Sequence, residues 1–498
     1  MIIAVEGEPT VLTGHLSTDV SAIMVATNLF NGLIGFDFNF KPTPDLAERW
    51  EISQDGLGYT FFLNPRAKWH DGKPVTSADV EYSFKEIVAK THPRAGTWWP
   101  LVETITTDGP QKATTRLKAP YAPFLTLLGN LGGSGSFIMP KHIYEGTDAK
   151  TNPANRRPIG SGPFKFARWE PGSHIELVRN PEYFKPDLPR LDRLVFQITP
   201  DSSARLLAFE KGDVDLLHAY IVPYEAVAKL RADRRFEVID RGLEGVATNE
   251  FLLLNLRHEA LKHKAVRQAL AYAIDRTQIR DKALFGLGKI ARSPINSGLS
   301  WIYTDRFDVY ATRDLAKAGA MLDAAGFPRK ADGKRFALRV TWDSGKDTEQ
   351  RGCAIIRASL AELGVDVTLQ PFDRATYIDR AFRQWDFDMA LQNFTTGPDP
   401  TISVSVRYHT AQIKKAPFNN AMGYSNKALD AIFDAEFKEL DRAKRAAMWV
   451  EAQRHLMDDL PVIPIWEYPS LNVASAKFAD TVVTPSGYLD SREYAYQR

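Results

Sequence analysis

The sequence predicts an α/β protein in which one lobe is inserted into another. After residue 336, strand-like and helix-like segments alternate in a βαβαβ order, which implies a parallel sheet with right-handed crossovers. Before residue 255 the texture differs: short strands, turns and a capped helix make an α+β module. The α/β stretch begins near 255 and closes near 466, so only two chain passages join it to the rest, near 250–257 and 465–470. The 498 residues suffice for roughly two to four domains.

The elements follow in order. Residues 59–63 (YTFFL) form a strand, and Asp71-Gly72 marks a tight turn. Thr76 with Asp79 makes a capping-box variant, after which Val80, Phe84, Ile87 and Val88 recur at helical spacing. Residues 129–136 and 151–163 are rich in Gly, Ser, Pro and Asn; the second stretch reads as a linker or chain reversal. Strands are expected at 164–166, 174–178 and 194–198, then a helix over 202–211 that stops at Gly212. Ala265, Val266, Ala269, Leu270, Ala273 and Ile274 make one helical stripe. Thr312 is expected to cap the next helix, which Gly326 ends. Then come a strand at 336–342, a helix at 348–363, a strand at 365–369, a helix from Asp373 to Gln384 and a strand at 387–391. Two helices, about 426–438 and 441–458, lead to a last apolar strand at 462–466.

Composition excludes several classes. Hydrophobic residues at 44% and charged residues at 25% rule out a mostly disordered chain. Lys+Arg of 63 against Asp+Glu of 61 leaves a net charge of +2, with no basic field for nucleic acid. Cys353, the one cysteine, excludes an intrachain disulfide and a Cys-based zinc site. No apolar run approaches the ~18–20 residues that span a bilayer. The start, Met1 to Val5, runs straight into Glu6 without a signal-peptide pattern. Either the protein is cytosolic, or the chain starts at a mature N-terminus behind an added Met. No phosphate loop, HExxH, GxSxG or GxGxxG occurs, and no histidine pair has metal-ligand spacing. No catalysis, metal or cofactor is therefore expected. Ten tryptophans are many, and Trp98-Trp99, Trp301 and Trp342 stand in loop-like or strand-end contexts, where they either pack inward or line a cleft.

Six segments in order carry a resemblance: 28–37 (NLFNGLIGFD), 44–50 (PDLAERW), 59–79 (YTFFLNPRAKWHDGKPVTSAD), 158–166 (PIGSGPFKF), 204–215 (ARLLAFEKGDVD) and 254–275 (LNLRHEALKHKAVRQALAYAID). Together with Asp399-Pro400 they resemble the family 5 extracellular solute-binding proteins of ABC importers, the dipeptide, oligopeptide and nickel group. The resemblance runs from about residue 3 to 475 and is most specific in 59–79. It implies an α/β, two-lobed periplasmic binding protein-like fold, type II, of the large class with an extra subdomain in lobe I. Lobe I would take 1–252 and 470–498, with the subdomain at about 40–152; lobe II and the hinge segments would take 253–469. Few crossings suit hinge closure around a ligand in the cleft. The implied function is a non-catalytic periplasmic receptor, a monomer without cofactor. It would capture an oligopeptide or a peptide-like or opine-like solute for the transmembrane subunits of an ABC permease. The alternatives are a nickel, haem or oligosaccharide receptor of the same fold, and a cytosolic α/β enzyme.

The resemblance also nominates residues. In dipeptide binders an aspartate just before the Asp-Pro pair meets the peptide ammonium; the aligned position here is Thr396, and Phe394 stands at the family's tryptophan. The usual anchor is thus missing, while Asp399 serves either a ligand or the helix after Pro400. Residues 342–347 lack the family's carboxylate-binding arginine and offer Lys346, a point charge. Ser136 occupies the place of the nickel-type arginine. The candidate ligand residues are Trp98, Trp99, Trp342, Lys346, Phe394, Thr395, Thr396, Asp399 and Asp19. Adjacent indoles in an extended segment point opposite ways, so Trp98 is expected to face the ligand and Trp99 to pack inward. His70 and Gly160-Ser161-Gly162-Pro163 read as turn formers, and Arg267 as a local or hinge partner.

Overall fold

The apolar run at the start of the chain forms the strand Ile2–Val5, the middle strand of a seven-stranded sheet. Described here, in a computed structural model, are residues 1–92, 95–97, 99–129 and 136–498. Ile2–Val5 lies parallel to Arg193–Ile198 on one side and to Leu216–Leu217 on the other. Beyond Arg193–Ile198, His174–Arg179 and Phe164–Glu170 continue as an antiparallel meander. Beyond Leu216–Leu217 come Asn472–Ser475 and then Phe236–Ile239, both antiparallel. The helix Ser202–Lys211 ends where Gly212 takes a left-handed φ of 85°, which glycine adopts without steric cost.

A separate four-stranded antiparallel sheet runs in the order Ala47–Ile52, Gly58–Leu63, Lys112–Leu117, Val102–Thr107. Thr76 and Asp79 cap the helix Ser77–Tyr82 as expected, the Asp79 carboxylate accepting the Thr76 amide at 2.8 Å. The Trp69-His70-Asp71-Gly72 signature is a tight turn, with the Gly72 amide donating to Trp69 O at 2.8 Å. Its histidine is structural. The Gly160 amide donates to His70 Nδ1 at 3.0 Å, so Nε2 carries the proton and donates to Gly162 O at 3.1 Å. Burial pushes His70 down to about 4, keeping the ring neutral. The reversal at 158–163 also crosses the end of the helix Val20–Leu29 backbone to backbone: the Gly162 amide donates to Leu29 O at 2.8 Å.

The chain divides into two compact units: Met1–Val246 with Ser470–Arg498, and Ala247–Pro469. The first expected lobe boundary, at 252, falls inside the strand Thr248–Leu254 and moves to 246. That strand pairs along its length with Met389–Thr395 and with Val462–Glu467, so it lies in the middle of the second unit's sheet.

The second unit's sheet has six strands, ordered Lys289–Ile290, Val462–Glu467, Thr248–Leu254, Met389–Thr395, Phe336–Asp343, Val365–Phe372. The last three are parallel, as the βαβαβ reading requires, with the helix Asp347–Glu362 crossing between the outer two. The sheet as a whole is mixed, because Thr248–Leu254 runs antiparallel to both neighbours. Asp314 rather than Thr312 caps the helix Leu315–Ala324. Phe251, Leu253, Tyr377, Phe382, Phe387 and Trp449 belong to the apolar core between this sheet and the helices Lys427–Glu436 and Arg442–Asp459. Around Trp99 the expected extended segment is replaced by two 3-10 turns, Ala95–Thr97 and Trp99–Leu101; the fixed φ of Pro100 is accommodated within a first helical turn. Trp98 lies outside the described residues.

Candidate functional site

In open α/β sheets ligands collect at the carboxyl ends of the strands. In the second unit, Phe336–Asp343, Val365–Phe372, Met389–Thr395 and Val462–Glu467 all run the same way and end at one edge. Six of the sequence-nominated residues, Trp342, Lys346, Phe394, Thr395, Thr396 and Asp399, lie on or just after these strand ends. They are not equally available. Trp342 is buried, and its indole Nε1 has no hydrogen-bond partner among the described residues. Thr395 is exposed, and Phe394 is half-buried against Phe251, Phe382 and Phe418. Thr396 is buried: its hydroxyl accepts the Asn296 amide at 3.2 Å and its carbonyl accepts from the Ser403 hydroxyl. Asp399 is engaged twice. It caps Pro400–Ser403 by accepting the Thr401 amide at 3.0 Å, and it takes a two-pronged ion pair from Arg445 at 2.5 and 2.6 Å. The free-carboxylate reading of Asp399 therefore gives way to a structural one.

Lys346 stands at the start of the helix Asp347–Glu362 with about a quarter of its side chain exposed. It donates to Glu349 at 2.7 Å and to Asn393 Oδ1 at 3.0 Å. Glu349 is buried, and its second oxygen lacks a hydrogen-bond partner among the described residues. Beside it, fully buried Glu250 accepts from the Tyr468 hydroxyl at 2.7 Å and likewise leaves one oxygen unpartnered. Burial pushes Glu349 up to about 7 against the pull of Lys346. Burial, then the charge of Glu349, holds Glu250 well above the carboxylate range. One cation faces two buried carboxyls, so the pair retains a proton at neutral pH. Sequence reasoning missed Glu250, although an acid inside the apolar run 248–254 (TNEFLLL) is a legible signal.

The native state holds the Glu349 proton more tightly than the unfolded chain does. Its stabilising effect is complete below pH 4.5, the ordinary glutamate value, and is lost as pH rises through about 7. Glu349→Gln is therefore expected to flatten the dependence of melting temperature on pH and to stabilise the protein by about 2 kcal/mol at pH ~8. Thermal melts across that range check it; a lower melting temperature for the variant at the alkaline end would mean that the Lys346 pair dominates.

In the first unit, Ile2–Val5, Arg193–Ile198 and Leu216–Leu217 also end together. Glu6 and His218 follow two of these strands directly, and His218 Nε2 lies 3.1 Å from Glu6 Oε2. Burial works against the Glu6 carboxylate, but the hydrogen bond and charge of His218 outweigh it and hold Glu6 below its ordinary value. His218 is fully buried, and its Nδ1 has no hydrogen-bond partner among the described residues. Neither residue was nominated from sequence; a polar residue immediately after an apolar strand was the available sign. Asp19 is exposed and caps the helix Val20–Leu29 through the Ala22 amide at 2.9 Å. Trp99 is partly buried at its 3-10 turn.

Among known proteins, the family described as bacterial extracellular solute-binding proteins, family 5 Middle, matches residues 41–415. The oligopeptide-binding protein AppA of Bacillus subtilis is 27% identical over 95% of this chain and 87% of its own. Its solved structure, in complex with a nonapeptide, superposes with a TM-score of 0.76 at 25% identity, covering 100% of this chain and 98% of that one. The binding protein AgaA from A. tumefaciens R10, in complex with agropinic acid, is similar with a TM-score of 0.76 at 26% identity, again covering 100% and 98%. No helix among the described residues is long and apolar enough to cross a membrane.

Proposed function

We propose, on the premise that the chain belongs to the bacterial extracellular solute-binding proteins of family 5, that it captures an oligopeptide or a peptide-like or opine-like solute outside the cytoplasm and delivers it to an ABC permease. It works as a monomeric receptor without catalysis, cofactor or nucleic acid. Lys346, Phe394 and Thr395, at the carboxyl edge of the second sheet, contribute to the ligand surface, with Trp342 behind them. In the first unit the family resemblance supports Trp98 as the contributor, and Trp99 and Asp19 are further candidates. The relatives, among them an oligopeptide binder and a protein solved with an opine, support the solute classes named.

One observation carries the preference for longer or end-blocked solutes over dipeptides. The position aligned with the ammonium anchor is Thr396, uncharged and hydrogen-bonded within the fold, and Asp399 nearby is neutralised by Arg445. A desolvated ammonium left unpaired there costs several kcal/mol, whereas backbone hydrogen bonds to an extended peptide need no end group. Calorimetric titration is expected to show dipeptides binding at least about tenfold more weakly than longer peptides. Sub-micromolar binding of a free dipeptide would sink this preference.

A further inference from the structure

The described residues include seven buried arginines, and six of them have an acid for company. Arg276 pairs with Asp308 at 3.0 Å, Arg335 with Asp323, and Arg445 with Asp399 at 2.5 Å. Arg205, Arg267 and Arg492 sit in the fields of Glu6, Asp459 and Asp490. Arg407 is the exception. It is 2% exposed, and no carboxylate among the described residues acts on it. Its Nε donates to Ser403 O at 2.8 Å and its Nη2 to Thr395 O at 2.6 Å. Its Nη1 is buried without a partner among the described residues. The guanidinium lies 4.6 Å from the centre of the Phe394 ring and 5.9 Å from that of Phe251. Burial pushes it down to about 10, opposed only by the Tyr408 hydroxyl.

A buried charge without a counter-charge is among the costliest arrangements in a fold. Its position is also particular: it is fastened to the carbonyl of Thr395, the last residue of Met389–Thr395, at the edge where Phe394 and exposed Thr395 lie. We propose that Arg407 anchors a carboxylate of the captured solute, which reaches Nη1 when the half-buried Phe394 ring swings aside. The assignment rests on the solute-binding reading above and narrows it to anionic solutes. Two carbonyls already fix the plane of the guanidinium, so the donor is oriented before the ligand arrives. A singly charged carboxylate balances one guanidinium in this aromatic setting, whereas a phosphate dianion would leave an excess buried charge.

The test uses two pools of N-acetylated tetrapeptides of equal composition, one with free carboxylates and one amidated, offered to the full-length protein and read by native mass spectrometry. Wild type is expected to retain the carboxylate pool about tenfold better or more, and Arg407→Met to lose that preference. Equal retention of both pools by wild type, or a preference that survives in Arg407→Met, overturns the inference while the peptide-binding reading stands. If wild type retains neither pool, the peptide reading fails and melting of the ligand-free proteins decides on Arg407. A residue kept for a ligand leaves Arg407→Met melting at or above wild type, because the uncompensated charge is gone. A residue kept for the loop 395–403 leaves the variant melting lower, and that result overturns the anchor.

Discussion

Arg445→Met is expected to lower folding stability by about 3–5 kcal/mol at neutral pH. Arg445 donates to both oxygens of Asp399, to Glu436 Oε2 at 2.9 Å and to the Thr401 hydroxyl. Without it two buried carboxyls face each other with no cation. Burial, together with Asp399, already pushes Glu436 up to about 7 despite Arg445. In the variant both acids resist ionisation further, so the deficit shrinks as pH falls towards about 5 and the carboxyls take up protons. Asp399→Asn is the informative companion, expected to cost only about 1–2 kcal/mol. Relieved of its neighbour's charge, Glu436 ionises and takes over the guanidinium, while Thr401 and the Trp449 indole, at 2.9 Å, still hold it in place. Denaturant melts of the two variants at pH ~5 and ~8 check both statements. Equal losses at both pH values would show that packing around Arg445, rather than charge, sets its contribution.

Gly160→Ala is expected to be the most disruptive single methyl group, on the order of 3 kcal/mol or more, or outright loss of soluble protein. A Cβ at residue 160 would stand 1.7 Å from Leu29 O and 2.7 Å from Leu29 C, both main-chain atoms that no side-chain rotation can move. Gly162 is similarly placed, with Leu29 C at 2.5 Å and Asn28 O at 2.6 Å. Gly146→Ala is a control for substitution itself: at φ 78° it carries backbone strain, yet nothing lies within 4 Å of its Cβ, so a loss on the order of 1 kcal/mol is expected. Comparable damage from both would mean that the crossing at Leu29 is looser than its geometry.

What the sequence revealed and what it withheld divide along the range of the interactions. The stop at Gly212, the capping box at Thr76 and the βαβαβ order after 336 are local, decided within a few residues by backbone freedom, side-chain caps and periodicity. The apolar run 248–254 was legible as a strand, but periodicity carries no direction and no neighbours, so its antiparallel place between 389–395 and 462–467 was hidden. The same limit governs the candidate site. That Thr396 lacks the charge of its aligned aspartate is visible in one letter. That Asp399 is neutralised depends on Arg445, 46 residues away, and the hydroxyl of Thr396 is occupied from Asn296, 100 residues away. Trp99 shows the opposite failure: a local rule about the residue before proline was applied where the chain tightens into a 3-10 turn.

The strand Asn472–Ser475 has a consequence for the order in which the molecule is made. Among the described residues Phe236–Ile239 pairs with no other strand, and Leu216–Leu217 is held on that side only by it. Further along, the Arg492 amide reaches back to Asn28 at 2.8 Å, and Glu493 accepts from Tyr183 at 2.7 Å and Lys185 at 2.9 Å. A ribosome therefore emits every residue of the inserted unit before it emits those that finish the one emitted first. The second unit, continuous in the chain, can close as soon as Pro469 emerges, while the first stays open, one sheet position vacant, until residues 470–498 follow. The unit begun earlier is completed later, so the polypeptide cannot reach its native state until residues beyond Pro469 have emerged, and whatever meets it before then meets an unfinished sheet.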